Sequence, residues 1–264
     1  MSAKKPKKII LKVDNITVQR PFGGPILENI SFDVYEGEFL SIVGASGGGK
    51  STLLRSLAGL FPPVSGKIYF RDEEMRAPRV EVGLVYQSYA LFPWRTALEN
   101  VEFGLELRNI PRVKRRQVAV EALELMGLSE DKDKFPIELS GGMQQRVAIA
   151  REIVNKPKVL MLDEGFSALD VQTCRQTEEQ LLHLQAKFKM TIILVTHMLE
   201  QALALSDRVI VISDGEIKET LELDGGKRPR DIDQPEFRKL LRSTEALIRP
   251  TPKIEMFVRD LAGV

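Results

Sequence analysis

The sequence predicts an α/β fold: a largely parallel sheet, a small antiparallel β layer and an inserted helical subdomain. Three observations predict it. The runs Phe39–Val43, Val159–Leu162, Thr191–Val195 and Arg208–Ile212 are almost continuously apolar, as strands buried on both faces must be. Segments with apolar residues at helical spacing alternate with these runs, the signature of a mixed sheet covered by helices. The first run also feeds directly into a glycine-rich loop that a helical pattern follows.

The elements can be justified in chain order. Met1–Lys8 carries four lysines and no apolar stretch follows, so residues 1–8 read as a flexible basic start and not as a secretory leader. Ile9–Val18 and Ile30–Tyr35 are rich in β-branched residues and flank Pro21-Phe22-Gly23-Gly24-Pro25, which reads as strands around a turn. After the Phe39–Val43 strand and its loop, Leu53, Leu54, Leu57 and Leu60 mark a helix from Ser51 to Leu60. Val82–Tyr86 reads as a further strand. Residues 88–156 then turn helical, with Ala97–Arg108 and Lys114–Met126 as helices and Gly127 as a C-cap. Leu181, Leu184 and Phe188 mark a helix between two of the buried strands. The folded domain spans 9–223. Beyond it Gly225-Gly226-Lys227-Arg228-Pro229 reads as a linker, and 224–264 as a tail with short helices.

Composition excludes several classes. In 264 residues, 43% are apolar and 28% charged, ordinary for a folded domain. Lys plus Arg is 38 against 37 for Asp plus Glu, so net charge gives no argument for a nucleic-acid partner. The single cysteine, Cys174, excludes an internal disulfide. No apolar run approaches the roughly 20 residues a membrane helix needs.

Chemistry concentrates in two glycine segments and one carboxylate pair. Gly44-Ala45-Ser46-Gly47-Gly48-Gly49-Lys50-Ser51-Thr52 fits the phosphate-loop pattern GxxxxGK[ST], in the strand–loop–helix context that pattern requires. Its backbone N–H groups can surround a phosphate and the helix N-terminus adds positive potential. Lys50 can reach the β- and γ-phosphates of ATP, and Ser51 can offer its hydroxyl to Mg²⁺. Asp163 and Glu164 end an apolar strand, where open α/β sheets place ligand chemistry. Adjacent buried carboxylates need compensation, which a cation supplies. The third segment is Leu139-Ser140-Gly141-Gly142-Met143-Gln144-Gln145-Arg146.

Together these motifs resemble the ATP-binding-cassette (ABC) ATPases, the nucleotide-binding subunits of ABC transporters. The resemblance covers residues 9 to about 222 and implies a phosphate-loop NTPase core. It implies that Asp163, with Ser51 and Gln87, serves Mg²⁺, and that Glu164 polarises or deprotonates the attacking water. It further implies that Gln87 links the nucleotide to the helical subdomain and that His197 is the switch histidine facing the γ-phosphate. Phe22 would stack on adenine. Ser167-Ala168-Leu169-Asp170 matches a loop that crosses the dimer interface, with Asp170 near nucleotide. Ser140, Gly141, Gly142 and Gln144 would close on ATP held by a second chain, so the resemblance implies a head-to-tail dimer, with an identical copy as the first expectation. His183 reads as a surface residue. Two positions depart from the family pattern: Gly165 stands where proline is usual, and Met198 where an acidic residue commonly follows the histidine.

Tyr89–Thr96, followed by Glu99-Asn100-Val101 and Phe103-Gly104-Leu105, resembles the importer subgroup serving nitrate, sulfonate and taurine. In that reading Phe92 and Trp94 receive a transmembrane permease subunit along the Gln87–Trp94 region. A solute-binding protein would complete the complex, and the chain would sit in the cytoplasm on the inner face of the membrane. An ATPase of a lipid-trafficking or export system, or a soluble non-transport ABC ATPase, is the alternative.

Overall fold

The apolar runs form a six-stranded sheet. The computed structural model describes residues 7–19, 23–164, 171–223 and 226–248, with backbone alone at 171–173. Numbered along the chain, strands β3 (Phe39–Gly44), β6 (Val82–Val85), β7 (Val159–Asp163), β8 (Thr191–Thr196), β9 (Arg208–Ser213) and β10 (Glu216–Glu222) lie in the order β10-β9-β3-β8-β7-β6. All neighbours are parallel except β10, which turns back antiparallel on β9. Side chains alternate between faces, as strand geometry demands. Leu160, Leu162, Ile192 and Leu194 face the helices α2 (Ala97–Leu107), α3 (Arg112–Leu125), α4 (Gly141–Ile153) and α5 (Val171–Phe188). Val159, Met161, Ile193 and Val195 face the opposite way, against α1 (Lys50–Leu57) and a second sheet.

That second sheet is antiparallel, ordered β2-β1-β4-β5 from β1 (Ile9–Gln19), β2 (Pro25–Tyr35), β4 (Ser65–Phe70) and β5 (Glu73–Glu74). Strand β2 begins at Pro25, earlier than the expected Ile30, because Gln19 pairs with Pro25 and Val18 with Leu27 across β1. Proline can start an edge strand since it has no N–H to leave unpaired. Helix α1 ends at Leu57 and the chain turns at Gly59 (φ 75°). Met126 and Gly127 (φ 65°) close α3, as the sequence predicts. The expected linker after Gly225 is tied down: Arg228 and Arg230 bond to carbonyls at the end of α6 (Leu199–Leu205). Helix α7 (Pro235–Ile248) then packs Phe237 against Leu199, Leu203 and Val209.

At the N-terminal end of β3, opposite the glycine loop, sits a buried polar knot. Glu38 accepts from Tyr35 N at 2.7 Å and lies 3.4 Å from Arg208 Nη2. Burial pushes its carboxyl up to about 7, against the opposing pull of Arg208. The folded protein therefore keeps a proton on Glu38 that the unfolded chain releases near pH 4.5. Stability falls as pH rises through this window, and the full cost is present above pH 7. Between pH 5.5 and 8, wild type should lose about 2 kcal/mol more unfolding free energy than Glu38→Gln. Urea unfolding at both pH values measures this; equal losses in the two proteins would contradict it.

Candidate functional site

Strand β3 is buried at every position and delivers the chain to the loop 45–49 at its C-terminal end. At Gly44 a Cβ would lie 2.3 Å from the carbonyl oxygen of Ile212 on β9, so glycine alone lets the strand leave the sheet there. At Gly47 the reason differs: φ is 79° and a Cβ would have open space. Lys50 opens α1 with 4% of its surface exposed. Its ammonium donates to the carbonyls of Gly44 (2.9 Å) and Ala45 (2.8 Å), folding back along the loop it follows. Burial lowers its pKa, against the pull of Glu164 and Asp163. Ser46, Gly48, Ser51 and Thr52 lie on the same loop–helix junction.

Strands β3 and β7, each paired with β8, carry the loop and the carboxylate pair at the same end of the sheet. The Ser51 hydroxyl donates to Asp163 Oδ1 at 2.7 Å. Asp163 is 2% exposed, and burial raises its pKa despite Ser51 and Arg55. Arg55 Nη2 stands 4.0 Å from Asp163 Oδ2. The next residue, Glu164, holds a left-handed backbone (φ 49°), while its N–H donates to Val195 O at 2.9 Å. Such a conformation costs a non-glycine residue about 1–2 kcal/mol and turns its side chain away from the strand's alternation. Glu164 Oε2 accepts from Gln87 Nε2 at 2.9 Å, and Oε1 lies 3.4 Å from His197 Nδ1. The sequence-predicted residues Gln87, Glu164 and His197 thus meet. Where an acidic residue is usual, the Met198 N–H donates to Thr196 Oγ1 at 3.0 Å and Met198 starts α6.

The second glycine segment lies elsewhere. Ser140 is the N-cap of α4 and accepts from Met143 N at 3.3 Å. Gly141 and Gly142 form the first turn. Gln144 Nε2 donates to Pro136 O (2.9 Å) and Leu139 O (3.1 Å), so this amide braces the turn before the helix. Arg146 reaches Met126 O at 3.1 Å, anchoring α4 to the end of α3. Helix α4 packs on α2, α3 and β6, whereas α1 packs on β1, β3, β7 and β8.

Between β6 and α2 the chain forms a braced loop. Asn100, fully buried, donates to the carbonyls of Phe92, Arg95 and Thr96 and accepts from Phe92 N. Arg151 donates to Tyr89 O and Ala90 O. Thr96 and Glu99 close a capping box on α2. Phe92 packs edge-on against Phe103, and Trp94 stands 71% exposed on this rigid base.

Phe22, Gly165 and Asp170, with the rest of 167–170, lie outside the described residues. Sequence reasoning missed Arg55 and Thr196. Arg55 is four residues after Ser51, one helical turn on the same face, a spacing that could have found it. His183 is exposed, as expected.

A phosphate loop placed beside a strand-end carboxylate with a poised glutamine and histidine is the arrangement of a nucleoside-triphosphate hydrolase. The ABC transporter family model matches residues 27–167. An uncharacterised ABC transporter ATP-binding protein of Methanocaldococcus jannaschii is 46% identical over 235 residues, 87% of this chain and 88% of that protein. The nitrate import ATP-binding protein of Synechocystis is 43% identical, covering 80% of this chain and 79% of its own length. The glycine betaine transport ATP-binding protein of Bacillus subtilis is 42% identical, and the chain spans about half (51%) of it. A dimeric post-hydrolysis ATP-binding cassette bound to ADP and Pi superposes with TM-score 0.75 at 33% identity, over 82% of this chain and all of that one. The chain belongs to the ABC transporter family, and it is an ATP hydrolase of that type.

The two glycines should respond differently to alanine. Gly44→Ala forces two backbones apart and should cost about 3 kcal/mol of stability. Gly47→Ala meets only backbone strain and should cost about 1 kcal/mol. Urea unfolding of both variants checks the order, and equal costs would contradict the close approach to Ile212.

Proposed function

We propose that this chain is the ATP-hydrolysing subunit of an importer, that it works as a head-to-tail dimer, and that it drives separate membrane subunits. The observation that carries the reading is Glu164, held between Gln87 and His197 next to Lys50, Ser51 and Asp163. Lys50 turns from its own loop carbonyls to the β- and γ-phosphates, which restore its charge compensation. Glu164 accepts the hydrogen of the attacking water, Gln87 and His197 fix the direction of its carboxylate, and the water lines up on the γ-phosphate.

Mg²⁺ fits the residues present. A Mg²⁺ site needs one or two protein oxygens, with waters and phosphates completing its shell. Ser51 Oγ and the buried Asp163 carboxylate supply hard oxygen donors at one place. Asp163 would hold the ion, directly or through water, with Gln87 beside it. When bound, Mg²⁺ neutralises charge on the β- and γ-oxygens. Burial raises the pKa of Asp163, and a cation beside it would favour the charged carboxylate.

Separate elements for the two glycine segments support closure across two chains, with Ser140, Gly141 and Gly142 of one chain on the γ-phosphate held by the other. Gln144 then acts as a brace for that turn. Among the described residues no helix is long and apolar enough to cross a membrane, so transport needs partner subunits. Trp94, exposed on a loop that Asn100 and Arg151 hold rigid, is the anchor for a permease subunit on the inner membrane face. The loop's resemblance and the nitrate-import relative support a small oxyanion as cargo, delivered by a solute-binding protein.

Glu164→Gln should lower ATP turnover by about 100-fold or more while keeping nucleotide binding. Gel filtration with light scattering should show the variant monomeric alone and dimeric with ATP-Mg²⁺. Undiminished hydrolysis in Glu164→Gln would sink the assignment of the base, and an ATP-independent monomer would sink the homodimer.

A further inference from the structure

Helix α6 is a rod of seven residues whose two ends touch different things. At its start stands Met198, one residue after His197, the imidazole 3.4 Å from Glu164. Its end should expose its last carbonyls, which lack intrahelical donors. They are instead filled from outside the catalytic core. Arg230 N donates to Ala204 O at 2.9 Å. The Arg230 guanidinium donates to Leu203 O at 3.0 Å and Ser206 O at 2.7 Å. Arg228 Nη1 donates to Leu205 O at 3.2 Å. Four consecutive carbonyls are thus taken by two arginines of one segment, whose positive charges also suit the negative end of the helix.

The same segment then covers the flank of α6. Phe237 of α7, 6% exposed, joins Leu199, Ala202, Leu203 and Val43, the residue just before the phosphate loop. Arg228 also reaches Asp207, whose carboxylate accepts from Phe39 N at the start of β3. Residues 226–248 therefore grip both the helix behind His197 and the strand behind Lys50. A second anchor, Gln201 Nε2 to Glu178 Oε1 at 2.8 Å, holds the middle of α6 to α5. With α6 held in the middle, a tilt at its far end would carry Met198 and His197 at its start.

We propose that residues 226–248 are a clamp on α6 and that Arg230 is a positioning residue for His197. Through α6 it sets the contact between His197 and Glu164, and with it turnover, leaving nucleotide affinity alone. The proposal rests on the reading of Glu164 as the group that aims the attacking water. The clamp couples whatever binds the carboxy-terminal segment to the rate of hydrolysis at the far end of the helix.

The test is a double-mutant cycle on the full chain, with steady-state ATPase kinetics. Arg230→Ala should lower kcat about tenfold with KM for ATP changed less than about twofold. In a His197→Ala background the same substitution should change kcat less than about twofold, because the path it acts through is gone. Arg230→Lys, which keeps the charge and a donor nitrogen but not the guanidinium's shape and reach, should fall between wild type and Arg230→Ala. It replaces the alanine variant in the cycle if that one does not fold. Equal losses in both backgrounds, or a raised KM with unchanged kcat, would overturn the proposal. Glu164→Gln runs alongside: hydrolysis undiminished there would show that the underlying reading failed, and not the clamp.

Discussion

The constraint on which the rest of the structure depends is the burial of opposite charges at one end of a parallel sheet. Lys50 and Asp163 are almost wholly removed from water, and burial works against the charged form of each. Protein groups compensate them only partly: two loop carbonyls for Lys50, a hydroxyl and a distant guanidinium for Asp163. In the proposed function a triphosphate with a divalent cation would complete that compensation. The parallel register of β3, β8 and β7 puts both groups at the same strand ends, and the glycine at 44 lets the loop form against β9. Remaining site features follow from this placement. Glu164 takes its left-handed turn just past the buried strand, and Gln87 and His197 come in from the ends of the flanking strands.

Much of the architecture was legible because its signals are local. Continuous apolar runs on β3, β7, β8 and β9 announce burial on both faces, and the phosphate-loop pattern needs only its own neighbours to be read. The glycine turn at Gly127 that closes α3 is likewise written in adjacent residues. What was not legible depends on distant partners. The extra length of β2 comes from pairing with β1, and Arg228 and Arg230 look like solvated linker charges until α6 supplies its carbonyls. Gln144 stands in the signature segment, yet its amide is committed to the turn before α4. Arg55 went unread because the motif pattern stops at Ser51.

The molecule thus separates three tasks onto three rigid parts. The sheet end carries the glycine loop and the carboxylate pair, α4 presents a second helix N-terminus on other supports, and the loop braced by Asn100 and Arg151 raises Trp94 to the surface. An anion attracts the dipole of α1 and that of α4 in the same way. Since α1 and α4 pack on different elements, the proposed head-to-tail pairing would let two chains satisfy both with one γ-phosphate. On that proposal, loss of the phosphate would remove the shared ligand and loosen the contact between the chains.

The most direct test of that account is a cross-link between two kinds of chain, both carrying Cys174→Ala and Glu164→Gln. One has Ser46→Cys in the phosphate loop and the other Ser140→Cys at the start of α4. Mixed with ATP-Mg²⁺ and a mild oxidant, they should form a covalent mixed dimer that neither forms alone and that ADP does not support. A cross-link that ignores nucleotide, or none at all while ATP is bound, would contradict closure of one chain's signature turn on the other's phosphate.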